Sequence, residues 1–181
     1  LTGSSGNAED FGLASQIKAA YGNEQENTKF YLSYHNNQKS GETTTDESKA
    51  GAEHSSLFGE KIGWYVKTDL ESDQLEDVDL RSTTAAGIKY ALLELDTQEL
   101  DARAGLAYRF ESYGEGDLDA PALDLGLEHS YRLTKLLSVV TEIDIVPSIE
   151  EFSDYRITQD SGIEMPLSKD GGWKLRMGLT N

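Results

Sequence analysis

Apolar and polar residues alternate with a period of two along almost the whole chain, and few folds accept that pattern. Residues 100–110 show it plainly. Leu100, Ala102, Ala104, Leu106, Tyr108 and Phe110 fall on one side of an extended backbone, and Asp101, Arg103, Gly105, Ala107 and Arg109 on the other. Residues 62–70 set Ile62, Trp64, Val66 and Leu70 against Tyr65, Lys67 and Asp69. Residues 78–92 set Val78, Leu80, Ala86, Ile88, Tyr90 and Leu92 against Asp79, Arg81, Thr83 and Lys89. The pattern returns at 11–21, 28–36, 122–132, 136–146, 155–165 and 173–180, and most weakly at 46–57. Helical periodicity is hard to find. The chain therefore reads as about ten strands.

The connections are expected to alternate in length. Short ones fall at 22–27, 57–61, 95–98, 133–135 and 168–172, and longer, acid-rich ones at 36–46, 71–77, 112–121 and 147–154. Sequential strands joined in this way predict an antiparallel up-and-down meander. Short turns at one end and larger loops at the other are the pattern of an outer-membrane barrel.

Alternation cannot say which face is inside, because soluble and membrane barrels both alternate. Three features favour lipid outside. The runs are near the ~9–11 residues a spanning strand needs. Tyr21, Tyr90, Tyr108, Phe110, Tyr131, Tyr155 and Trp173 sit towards run ends, as interfacial girdles do. Small residues such as Ser82, Thr84, Ala86, Ala102 and Ala104 dot the apolar face, where a dry core would require larger side chains. The fold class expected is thus an all-β, antiparallel, up-and-down transmembrane β-barrel forming a single domain over 1–181. Its candidate lipid-facing residues are Trp64, Ile88, Tyr90, Leu106, Tyr108, Leu125, Leu127, Ile143, Trp173 and Leu175. The candidate lumen-lining residues are Arg81, Lys89, Arg103, Arg109, Asp124, Glu128, Glu142, Asp144 and Arg176. Lys67, Asp69, Asp101, Arg132 and Lys174 are expected to point the same way. The competing reading turns the barrel inside out, as a soluble lipocalin-like barrel binding a small apolar ligand.

Charge narrows the partners. A formal net charge of −17 disfavours nucleic acid, whose phosphates require a basic face. Outer-membrane lipid is the expected partner, and the acid-rich loops are candidates to reach phosphorylated headgroups through divalent cations. There is no cysteine, which excludes disulfides and thiolate chemistry.

Several segments together resemble one bacterial family, the YdiY-like salt-induced outer-membrane proteins, otherwise described as a domain of unknown function. They are SGN at 5–7, a strand ending in Tyr21-Gly22, DVDLRSTTAAGIKY at 77–90, GLAYRFE at 105–111, YRLT at 131–134, TEIDIVPS at 141–148 and SGIEMPLS at 161–168. Each is a strand plus a turn, and the resemblance lies in their order and spacing over the whole chain. It implies an outer-membrane barrel of about twelve strands in a Gram-negative cell, with a part in salt stress. On that template Leu1–Ser4 reads as the tail of a first strand, and the chain as strands two to eleven. The family supplies no catalytic residues.

No catalytic or cofactor site is expected. His35, His54 and His129 lie on different strands, without the spacing of metal ligands. His129 falls on the apolar face, where a barrel lipase would hold a triad, but no nucleophile signature accompanies it. GEGDLDA at 114–120 has the look of a calcium loop without its ligand pattern. Acid pairs such as Glu150-Glu151 and Glu76-Asp77 read as solvated faces in so acidic a chain. Gly87, Gly105, Gly126 and Gly178 fall on the polar side of strands, where they give curvature and room for long opposing side chains.

Overall fold

The computed structural model describes residues 2–4, 10–22, 25–39, 42–75, 78–113, 116–166 and 174–180. Side chains are described within these segments from Ile17 to Pro166, and at Met177 and Gly178. The strands are β1 (Thr2–Ser4), β2 (Asp10–Gly22), β3 (Glu26–Lys39), β4 (Glu42–Leu57), β5 (Ile62–Asp73) and β6 (Val78–Leu95). They continue as β7 (Gln98–Tyr113), β8 (Gly116–Thr134), β9 (Leu137–Pro147), β10 (Tyr155–Pro166) and β11 (Lys174–Thr180). They form one eleven-stranded sheet in strict sequence order. Every neighbouring pair is antiparallel.

The sheet curls into a half-barrel. β11 comes back within 8 Å of β2 between Cα atoms. Lys18 on β2 meets Asp160 on β10 at 2.5 Å, and Lys29 on β3 meets Glu128 on β8 at 2.8 Å. Side chains from strands so far apart in sheet order touch only if they share the concave side of a curled sheet.

Burial follows the alternation, with the polarity reversed from that of a soluble core. Along β5, Tyr65, Lys67 and Glu71 are buried while Trp64, Val66 and Leu70 are exposed. Along β7, Arg103, Ala107 and Glu111 are buried, whereas Leu106 and Tyr108 are exposed. In a single curled layer only the concave face is enclosed, so the charged row is the buried one.

Some expectations need correction. The connections do not alternate short and long. β3 runs to Lys39 and β4 starts at Glu42, while β7 runs to Tyr113 and β8 starts at Gly116. The acid-rich stretches at 36–46 and 112–121 therefore contribute mostly to ladders. The pairing Phe110↔Asp119 and Ser112↔Asp117 shows how. Aspartates at every second position project from the ladder and take donors from it, Tyr108 Oη to Asp119 and Ser112 Oγ to Asp117, both at 2.7 Å. Gly116 starts β8 at φ +155°, a backbone conformation that other residues rarely adopt. Only the 148–154 connection is long among those described, and it folds back on the sheet. Ile149 N donates to Pro121 O at 2.9 Å, and the loop closes through Ser148 N to Asp154 O at 2.8 Å.

Val78 and Leu80 do not share a face. Val78 is buried and Leu80 exposed, because the β6–β7 ladder slips between them and an extra residue resets the alternation. Arg132 is not inside either. It is exposed near the β8–β9 turn, where its guanidinium donates to the Asp96 carbonyl at 3.0 Å.

Candidate functional site

The concave face is organised by register. One row crosses β5 to β8 as Tyr65, Gly87, Gly105 and Asp124. Tyr65 reaches along this row past the two glycines, and its hydroxyl donates to Asp124 Oδ2 at 2.6 Å. A Cβ on Gly105 would stand 2.5 Å from that hydroxyl. The next row reads Lys89, Arg103, Gly126, Asp144. Arg103 stretches over Gly126 to bond Asp144, and a Cβ on Gly126 would stand 2.7 Å from the guanidinium. On β3 to β5 the device recurs, with Tyr31 crossing Gly51 to reach Asp69 at 2.7 Å. A long polar side chain, a strand position with no side chain and a carboxylate beyond it make one repeated unit. Glycine weakens a strand interior, so these positions carry a cost that the bridging side chain offsets.

The most enclosed charged group among the described residues is Asp124, 0% exposed. A buried carboxylate is costly without compensation, and three groups provide it. Lys67 approaches Oδ1 at 2.7 Å, and Arg103 Nε and the Tyr65 hydroxyl share Oδ2 at 3.1 and 2.6 Å. Lys67 reaches it over a bed of alanines, Ala85, Ala107 and Ala122, which with Tyr65 and Val146 form the apolar patch of the interior. Arg103 continues to Glu142 at 3.2 Å and stands 3.9 Å from Glu53 on β4. Its guanidinium also lies over the Tyr65 ring, 5.8 Å from the centroid.

Two further clusters flank this node. Towards the 148–154 loop, Glu71 receives Arg81 at 2.5 Å and bonds Arg156 from β10. Glu111 receives Arg109 at 2.8 Å and Arg81 at 3.2 Å, and Arg109 also holds Asp154 of the loop at 2.9 Å. Towards the opposite end, Asp101, Glu128, Glu142 and Asp160 fall in one register row across β7 to β10. Four cations face it. Lys89 is 3.0 Å from Asp101 and Arg103 3.2 Å from Glu142, with Lys29 on Glu128 and Lys18 on Asp160.

Of the candidate interior residues, Arg81, Lys89, Arg103, Arg109, Asp124, Glu128, Glu142 and Asp144 all sit on this face, in the ion-pair clusters above. Arg176 pairs by register with Glu164, and its side chain lies outside the described residues. The alternation already sets Tyr65, Arg156 and Asp160 on the polar side of their runs without marking them as site residues, and it does not single out Tyr31, Lys18, Lys29, Glu53, Glu71 or Glu111. Glu71 and Glu111 border stretches read as loops, Glu53 lies in the weakest run, and Tyr31 and Tyr65 are polar only at their tips. Their signal was period-two phase alone.

The convex face is the complement. The row Trp64, Ile88, Ala104, Leu125, Ile145 and Ile157 crosses β5 to β10 without a charge. All of it is exposed to the surroundings. Tyr90, Leu106, Tyr108, Leu127 and Ile143 extend the same exposed surface. The Thr68 and Thr84 hydroxyls on this side satisfy each other at 3.2 Å. Leu175 pairs by register with Met165, with its side chain outside the described residues, as is Trp173 altogether. Among the described residues no group of three or more His, Cys, Asp or Glu is arranged to hold a metal ion. His54 is occupied with Thr28 at 2.9 Å and Trp64, and His35 with Asn37 at 3.0 Å.

An antiparallel meander curled around an ion-paired face, with its apolar residues outside, defines the class of this protein. Residues 1–180 match the family described as "Protein of unknown function, DUF481", and the chain belongs to that family. A search of curated proteins finds no match.

Proposed function

We propose that this chain is the wall of a β-barrel in a bacterial outer membrane. Its convex face would lie in lipid, its concave face would line a polar interior, and it would have a structural or permeability role in envelope or salt stress. The observation that supports this best is the uncharged, exposed row from Trp64 to Ile157. A contiguous apolar surface of this extent on a water-soluble monomer is unusual. In hydrocarbon the same surface is matched, provided every backbone group is paired within the sheet. Tyr108 adds support, since its ring lies on the apolar face and its hydroxyl is held by Asp119, an amphipathic arrangement suited to an interface. No helix among the described residues is long and apolar enough to cross a membrane, so any crossing would be by strands.

The test is extraction and gel mobility of the full-length protein. Detergent-dependent extraction with a mobility shift between boiled and unboiled samples is expected. A monomer that stays in solution without detergent and shows no shift would return the protein to the soluble ligand-binding reading.

A further inference from the structure

We propose that the interior is held shut by a clamp of ion pairs between facing strands, β3 to β8 and β5 to β10, and that breaking these pairs opens a path along the barrel. The inference rests on the membrane-barrel reading and specifies the state of its interior. Lys29–Glu128 joins β3 to β8 at 2.8 Å, whereas Lys18–Asp160 bridges the seam where β11 returns to β2. Arg156 on β10 bonds Glu71 on β5, and Arg103 on β7 points at Glu53 on β4. The Lys29–Glu128 and Arg156–Glu71 contacts run across the interior and not along the wall, so at their levels the space between the flanks is no wider than two side chains.

The same groups also have partners within the wall, which makes the clamp releasable. If Lys29 withdraws, Glu128 still has Lys89 at 3.6 Å, and Lys29 still has Glu53 directly opposite on β4. If Arg156 withdraws, Glu71 keeps Arg81 at 2.5 Å and Lys49 at 3.6 Å. Arg103 can leave Glu53 while holding Asp124, Glu142 and Asp144. Release therefore exchanges one charge pairing for another and avoids the large cost of stranding a buried ion.

The experiment is the ionic conductance of the full-length protein in a planar phosphatidylcholine bilayer in potassium chloride. Proteins compared are the wild type, Lys29→Glu, Glu128→Lys and the double charge swap. Each is first shown by boiled and unboiled gel mobility to be folded and inserted. Low wild-type conductance, a several-fold rise in either single variant and return to the wild-type level in the swap are expected. Inserted single variants that conduct like the wild type, or a wild type that already conducts as an open pore, would overturn the clamp and leave the barrel reading intact. A protein that does not enter the bilayer would overturn both.

Discussion

The row Trp64–Ile88–Ala104–Leu125–Ile145–Ile157 and the row of Lys89, Arg103, Gly126 and Asp144 lie one residue apart on the strands they share. The apolar row is exposed, and the charged one holds Arg103, a residue only 8% exposed. Enclosure here is set by the curl of the sheet and not by hydrophobicity. Charges can be enclosed because each faces a partner at ion-pair distance, and the apolar row can be left outside only where the surroundings do not penalise it. The two rows therefore make opposite demands on a substitution.

The largest expected effect is at the enclosed carboxylate. Asp124→Ala leaves Lys67 and Arg103 facing a lost partner, a change that costs about 3–5 kcal/mol where buried pairs are broken. Denaturant unfolding of the reconstituted protein measures it, and a loss well under that range would mean that water already reaches the node. Next is the convex row. Leu106→Arg should cost about 2–4 kcal/mol near the middle of a bilayer. The same change at a residue 67% exposed should cost next to nothing in aqueous solution. Unfolding from lipid vesicles separates the two, and a neutral result would detach the convex face from lipid. The smallest is Tyr65→Phe, which keeps the ring and removes only its bond to Asp124. About 1–3 kcal/mol is expected, read from the unfolding midpoint at constant slope.

Much of this comparison is legible in the sequence, for a simple reason. Period-two phase assigns strand and face together, so the 62–70 run sets Trp64 and Lys67 on opposite faces, and strand length, aromatic placement and small residues then favour Trp64 outside. Phase fails where the ladder slips, as at Val78. It also fails where acid content suggests a loop, as at 112–121, since an aspartate on the outer side of a hairpin is compatible with a ladder. Pairing across the interior was not legible at all. That Lys29 meets Glu128, or that Tyr65 crosses two glycines to Asp124, depends on register and curl, which accumulate over several strands and leave no mark within any one of them.

Arg103 lying across Gly126 has a consequence for how such a chain can change over generations. The two positions belong to different strands but behave as one heritable unit. A side chain gained at 126 evicts the guanidinium, and a short residue at 103 leaves an empty slot above the glycine. Viable change at either should be accompanied by change at the other, so covariation of these two columns among relatives would record the register of β7 against β8 in sequence alone.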